Sequence, residues 1–478
     1  MVAKKKNTKK KDKHSTTKVV GAKKRKSKYE FLFYKQETAW KHVNEKKAFA
    51  FAEDYKKFLD ITKTEREAVE EIEKQAKSKG YKDFSKVKTL TSKDKIYFKT
   101  NKNIALINLG KFNKIKIIAS HLDSPRLDLK PKPVFEDSEL ALLKTHYYGG
   151  VKKYQWVNRP LAIHGFALLK DGTKKKILIG ESDKDPVFVI SDLLPHLAKT
   201  QYEKKVSEFI SGEDLNVIIG NLPLKDKEIK ENVKLRALKF LHDNYGITEK
   251  DFVTAELEIV PADKAKDVGF DRSLIGAYGQ DDSACAYTSM NALFNSKNKE
   301  TSIALFVDKE EIGSEGKSGA KSKFLFNFLR ELISKMKLKT EAYNLLKNAE
   351  LLSADVTSGL NTNFKDTQDH LNVSLLGRGI SIEKYGGGGG KYSTNDSDAE
   401  YIHKIITLLD KNKVIWQTGE NGKIDLGGGG TISMYFAEYG CDVIDLGPPV
   451  LGMHSPFEIT SKVDVYSSFL AYKAFYED

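Results

Sequence analysis

The 478-residue chain is 40% hydrophobic and 31% charged, enough apolar content to bury a sizeable core and to exclude disorder along its whole length. Its two cysteines, Cys285 and Cys441, stand far apart and outside any CxxC pair, which argues against a disulfide framework or a thiolate metal site and leaves nitrogen and oxygen as metal donors. Of the formal net charge of +14, residues 1–28 carry +12, so the rest of the chain is nearly neutral and lacks the basic face of a dedicated nucleic-acid module.

Those first 28 residues are rich in Lys, Thr and Ser and poor in large apolar side chains, and cannot offset their own ordering entropy. They read as a disordered basic tail able to attach loosely to polyanions. No apolar leader segment follows the tail and no apolar run approaches a membrane span, so the expected location is the cytoplasm, without a membrane partner.

From residue 29 to about 81 the pattern is helical, with Phe49, Phe51, Phe58 and Leu59 apolar, then a charged run with Val69 and Ile72 turned inward. Residues 96–98, 104–107 and 115–119 read as strands, the last two separated by a short turn around Gly110 and Asn113. From about 126 to 262 the texture changes to short β-like stretches, such as 162–169, 176–179 and 186–190, joined by lysine-rich connections. From Phe270 onward helix-like and strand-like segments alternate: 284–294 helical, 302–307 a strand, 322–335 an amphipathic helix, 351–355 and 443–446 two more strands. The expected fold is therefore α/β: a three-layer α/β/α domain with a mostly parallel central sheet over 29–125 and 263–478, interrupted by an inserted β-rich domain over 126–262.

In such sheets ligands gather beyond the carboxyl ends of the strands, and metal-binding residue types recur there in this chain. His121 and Asp123 follow the strand at 115–119, Asp281 and Asp282 follow a glycine turn, and Glu310 and Glu311 follow 302–307. Asp355 closes the strand at 351–354, and His454 comes shortly after 443–446. These segments can converge on one cleft; any one of them has an ordinary explanation, but the joint pattern is much less easily produced by chance. Two histidines with three or more carboxylates suit a pair of hydrolytic divalent ions, zinc, cobalt or manganese, one carboxylate bridging them. A further carboxylate outside the coordination shell is needed to accept a proton from water. The pair Glu310 and Glu311 can supply one ligand and one base, and Asp123 can orient His121. Chemistry alone leaves Asp281 and Asp282 equal as the bridge.

Five blocks, His121-Leu122-Asp123-Ser124-Pro125, Gly279-Gln280-Asp281-Asp282, Asp308-Lys309-Glu310-Glu311-Ile312-Gly313-Ser314, Ser353-Ala354-Asp355-Val356 and Met453-His454-Ser455, occur in the order found in the aspartyl aminopeptidase family, which includes vacuolar aminopeptidase I. From about Tyr29 to the C-terminus the chain resembles that family of dinuclear zinc metallopeptidases. The resemblance implies that Asp281 bridges two metal ions, that His121 and Asp355 complete one and Glu311 and His454 the other, that Glu310 is the general base, and that Asp123 orients His121. It further implies that the insert mediates dimerisation, that dimers assemble into a tetrahedral dodecamer, and that His196, in Pro195-His196-Leu197-Ala198, reaches a neighbouring subunit's site. The implied activity is release of single N-terminal residues from peptides.

The chain departs from the family's pattern at Trp156-Val157-Asn158-Arg159-Pro160, where Asn158 stands in place of an acid, and in the glycine runs 386–390 and 427–430. Neither run is a phosphate loop, because Gly390-Lys391 is followed by Tyr392 and Gly430 directly by Thr431; both read as flexible loops beside the site. These departures leave acidic against neutral N-terminal residues undecided. The rival activity on a similar scaffold is a carboxypeptidase or deacylase, which has no need of a free α-ammonium.

Overall fold

Apolar residues alternate in direction along the strand Lys111–His121, and this alternation divides the core into two layers. Ile117 and Ala119 pack on one face with Ile303, Leu305 and Leu351, beneath the helices Phe324–Met336 and Ala342–Lys347. Ile118 packs on the other with Ala304, Phe306 and Leu352, against the helices Glu45–Ile61, Gln280–Asn295, Ala399–Lys411 and Lys462–Glu477. A sheet covered on both faces needs apolar side chains in both directions, which is why Ile104–Asn108 and Glu350–Ser353 are buried at every position.

The computed structural model describes residues 28–478, so the predicted basic tail lies, apart from Lys28, outside the described residues. Residues 28–36 belong to a separate unit whose described structure is one short turn, Glu30–Leu32, and Glu37–Asp478 form one compact unit. The helical entry resolves into two helices, Glu45–Ile61 and Glu65–Ser78. Asn44 caps the first by accepting the N–H of Lys47, and Thr64 caps the second by accepting that of Glu67.

The central sheet has nine strands. Its middle is parallel: Glu300–Val307, Lys111–His121, Glu350–Ser353 and Asp442–Gly447 lie side by side in that order. The strands Ile104–Asn108 and Lys111–His121, adjacent in sequence, do not pair with each other. Glu300–Val307 enters between them, antiparallel to the first and parallel to the second. Asn113, expected in the turn, is inside the strand, and only Leu109 and Gly110 connect the two. A six-stranded antiparallel sheet, from Arg126–Asp137 to Glu256–Pro261, accounts for the change of texture over 126–262. It includes Leu161–Leu168 and Lys174–Ile179, whereas 186–190 forms only isolated bridges. The helix Asn232–Tyr245 in this region has no counterpart in the sequence reading, because Lys234 interrupts its apolar face and only Val233 is fully buried.

A third sheet of five short strands was not anticipated: Lys266–Val268, Leu274–Ala277, Glu458–Ser461, Pro449–Leu451 and Thr357–Ser358, in that order. The glycine runs 386–390 and 427–430 are not independent loops. Gly387 N–H donates to Gly429 O at 2.7 Å, and a Cβ on Gly428 would lie 1.8 Å from Gly387 O, so close backbone approach is what demands glycine there. Asn158 sits at φ +54°, a conformation asparagine tolerates, and its Oδ1 accepts the N–H of Asp192.

Candidate metal centre

Three of the four parallel central strands each deliver one part of the site at the carboxyl end. Lys111–His121 ends on His121 itself, and Asp355 follows Glu350–Ser353 by two residues. Beyond Glu300–Val307, Lys309 at φ +68° and Gly313 at φ +91° bracket the short turn Glu310–Ile312, which turns both glutamates back toward the sheet. The third sheet supplies the rest. Asp281 follows the strand Leu274–Ala277, and His454 lies in the connection between the antiparallel strands Pro449–Leu451 and Glu458–Ser461. Asp281 and Asp282 open the helix Gln280–Asn295 with non-helical torsions, and the peptide bond between them is cis.

The sequence-predicted donors converge. His121 Nε2 is 3.1 Å from Asp281 Oδ1 and 3.8 Å from Asp355 Oδ1. His454 Nε2 is 3.2 Å from Asp281 Oδ2 and 3.4 Å from Glu311 Oε2. Asp281 therefore stands between the two imidazoles with one oxygen toward each. Asp282 does not: its Oδ2 accepts the backbone N–H of His121 at 3.2 Å, and its Oδ1 is buried without a hydrogen-bond partner. The structure thus separates two aspartates that their chemistry left equal. His196 stays apart from this cluster, exposed in the short turn Pro195–Leu197.

Asp123 is fully buried, with a placement richer than sequence suggested. His121 Nδ1 is 2.9 Å from the Asp123 backbone carbonyl and 3.4 Å from its carboxylate. The carboxylate also accepts the backbone N–H groups of Glu310 at 3.1 Å and Glu311 at 3.2 Å. Glu458, which the sequence reading passed over, holds the opposite side. Its two oxygens accept the N–H of His454 at 2.7 Å and of Asp281 at 3.1 Å, and it is equally buried. A lone glutamate four residues after a histidine carries no signal that would have singled it out.

The electrostatics fit a divalent cation. Burial pushes the Glu310 carboxyl up to about 8, His121 opposing and Asp355 and Asp281 adding to the rise. Glu311 and Asp355 are raised by the same two causes, burial and neighbouring carboxylates. Although burial opposes it, Asp281 is held below the usual carboxylate range by His121 and His454. Burial likewise disfavours charge on His454, but the Asp281 carboxylate overrides it and the imidazole is pushed up to about 9. Carboxylates outnumber imidazoles, and Glu311 Oε1 is buried without a partner. Three overlapping donor groups, His121 with Asp282 and Asp355, His121 with Glu310 and Glu311, and Asp281 with Glu311 and His454, each bring their atoms within 4.8 Å of one another. Imidazole and carboxylate without thiolate suit zinc, cobalt or manganese.

Residues 58–476 match the family described as aminopeptidase I zinc metalloprotease (M18). The probable M18 family aminopeptidase 1 of Clostridium acetobutylicum is 47% identical over 462 residues, spanning 93% of this chain and 98% of that protein. The crystal structure of an M18 family aminopeptidase from Thermotoga maritima is similar at TM-score 0.91 and 44% identity, covering 93% of this chain and 100% of that one. The structure of the S. cerevisiae mApe1 dodecamer, at 22% identity and TM-score 0.73 over 90% of this chain and 97% of that one, shares the fold. The chain belongs to the M18 family of zinc metalloproteases and is an aminopeptidase, a hydrolase of peptide bonds.

Proposed function

We propose that this aminopeptidase releases single N-terminal residues from peptides with two divalent ions per subunit, zinc first among them and cobalt or manganese as substitutes. Asp281 would be the ligand common to both ions, with His121 and Asp355 holding one and Glu311 and His454 the other. The observation that carries this reading is the placement of Asp281, whose two carboxylate oxygens face His121 Nε2 and His454 Nε2 at 3.1 and 3.2 Å. Zinc bound by such donors polarises a scissile carbonyl and acidifies water toward neutral pH. Glu310 takes the proton of the attacking water on its carboxylate and returns it to the leaving amine. Asp123 orients His121 and keeps Glu310 and Glu311 in place through their backbone N–H groups.

The insert over 126–262 serves as a dimerisation domain in this reading, and dimers assemble toward the dodecamer described for mApe1. Support comes from the segment around His196, where Leu193, Leu194, Leu197, Tyr202 and Val206 are exposed together and suit a second copy of the chain. In that assembly His196 enters the neighbouring subunit's substrate site. A cytoplasmic location accords with the absence, among the described residues, of a helix long and apolar enough to cross a membrane, and with two free cysteines.

The test is hydrolysis of peptides that differ only in their first residue, each with a free or an acetylated N-terminus, by chelated protein before and after adding zinc, cobalt or manganese. Metal-restored release of the first residue from free peptides alone is the expected result, and the panel decides between acidic and neutral preference. Equal cleavage of acetylated peptides would favour the deacylase, and retention of fewer than two ions per subunit would remove the dinuclear site.

A further inference from the structure

The metal centre is bordered by the insert as well as by the catalytic sheet. The insert strand Leu140–Tyr148 ends against it, and the three residues 148–150 each meet a different part of the site. Tyr148 Oη donates to Asp123 Oδ2 at 2.8 Å, and this is the carboxylate that accepts the Glu310 and Glu311 backbone N–H groups. The Tyr148 ring is fixed in turn. The buried guanidinium of Arg126 lies 4.1 Å from its centroid and is itself held by Glu65 at 3.2 Å, Asp128 at 2.9 Å and Glu258 at 3.3 Å. The next two residues leave little room for side chains. At Gly149, with φ +72°, a Cβ would lie 3.3 Å from the Cβ of Glu311; at Gly150 it would lie 3.1 Å from His454 Nδ1.

We propose that residues 148–150 clamp the metal centre: Tyr148 is a positioning residue that acts through Asp123 on the Glu310 and Glu311 backbone, and the glycines let the insert close onto Glu311 and His454. The clamp rests on the metal roles proposed above. It makes the inserted domain part of the site, because any shift of the strand Leu140–Tyr148 is passed to both metal positions by these contacts. Partners of this kind, one bond removed from the ligands, govern metal affinity and rate together.

Tyr148→Phe deletes one oxygen and keeps both the ring and its Arg126 contact. In this variant kcat is expected to fall about 10-fold or more with KM within about twofold, and zinc affinity, read by competition with a chromogenic chelator, to fall about 10-fold or more. Gly150→Ala is expected to weaken zinc by displacing His454, with Glu310 untouched. The apo-protein Tm of each variant identifies any folding defect. Wild-type kcat and zinc affinity in Tyr148→Phe, a change confined to KM, or unchanged zinc affinity in Gly150→Ala would each overturn the clamp. If wild-type protein holds no zinc and shows no metal-dependent turnover, the metal roles fall and take the clamp with them, an outcome distinct from the clamp failing alone.

Discussion

Glu458 and His454 are joined by a 2.7 Å hydrogen bond from the His454 backbone N–H to one carboxylate oxygen, while the other oxygen accepts the N–H of Asp281 at 3.1 Å. One buried side chain thus fixes the backbone of two proposed metal ligands, and Asp123 does the same for Glu310 and Glu311 on the opposite side. Four residues of the proposed centre, Asp281, His454, Glu310 and Glu311, are therefore positioned through their main chains, which leaves their side chains to face the site.

Replacing Glu458 with Gln leaves one acceptor where two are needed and turns an amide N–H₂ toward a backbone N–H. Glu458→Gln is expected to weaken zinc retention about 10-fold or more. Chelator competition measures it, and unchanged affinity would show that the loop carrying His454 holds its shape without the carboxylate.

Glu310→Gln removes the proton acceptor and keeps the approximate volume. Both ions should stay bound while kcat falls about 100-fold or more. Zinc content by elemental analysis alongside steady-state rates provides the check; loss of metal would exchange the roles of Glu310 and Glu311.

His196→Ala is expected to lower kcat about 10-fold or more with metal content and oligomeric size unchanged, if it donates into a neighbour's site. Rates, elemental analysis and gel filtration on one preparation distinguish this from a surface histidine, which would leave all three at wild-type values.

Glu65, first in the helix Glu65–Ser78, is buried between Arg126 and Lys102. Burial by itself would raise its carboxyl, but Arg126 and Lys102 hold it down at about 2. Since this folded value lies below the unfolded value of about 4.3, the associated stability is fully present above the unfolded value and is lost as pH falls through it toward about 2. Glu65→Gln should cost about 3 kcal/mol at pH 7, because the buried Arg126 and the half-buried Lys102 lose a partner. The gap to wild type should narrow between about pH 5 and 3. Urea denaturation across that range tests the sign, and a gap independent of pH would contradict an ionised Glu65.

The sequence by itself determined the α/β rhythm and pointed to the candidate donors. Strands buried on both faces show as continuous apolar runs, and the carboxyl ends of 115–119, 302–307 and 351–354 could be located because a histidine or an acid interrupts each run. Local pattern could not reveal the third sheet, whose strands are two to four residues long and are interleaved in sequence with those of the central sheet, nor that Glu300–Val307 separates two strands adjacent in the chain. Pairing partners far apart in sequence leave no local signature, and a strand of four residues carries too few positions to show a period. The choice of Asp281 over Asp282, which chemistry left open and family resemblance supplied, gained a physical reason only in three dimensions, where one faces two imidazoles and the other turns back to the His121 backbone. Tyr148, Gly149, Gly150 and Glu458 became legible only there too, since a tyrosine, two glycines and a glutamate acquire meaning from what the tertiary fold places within 3 or 4 Å of them.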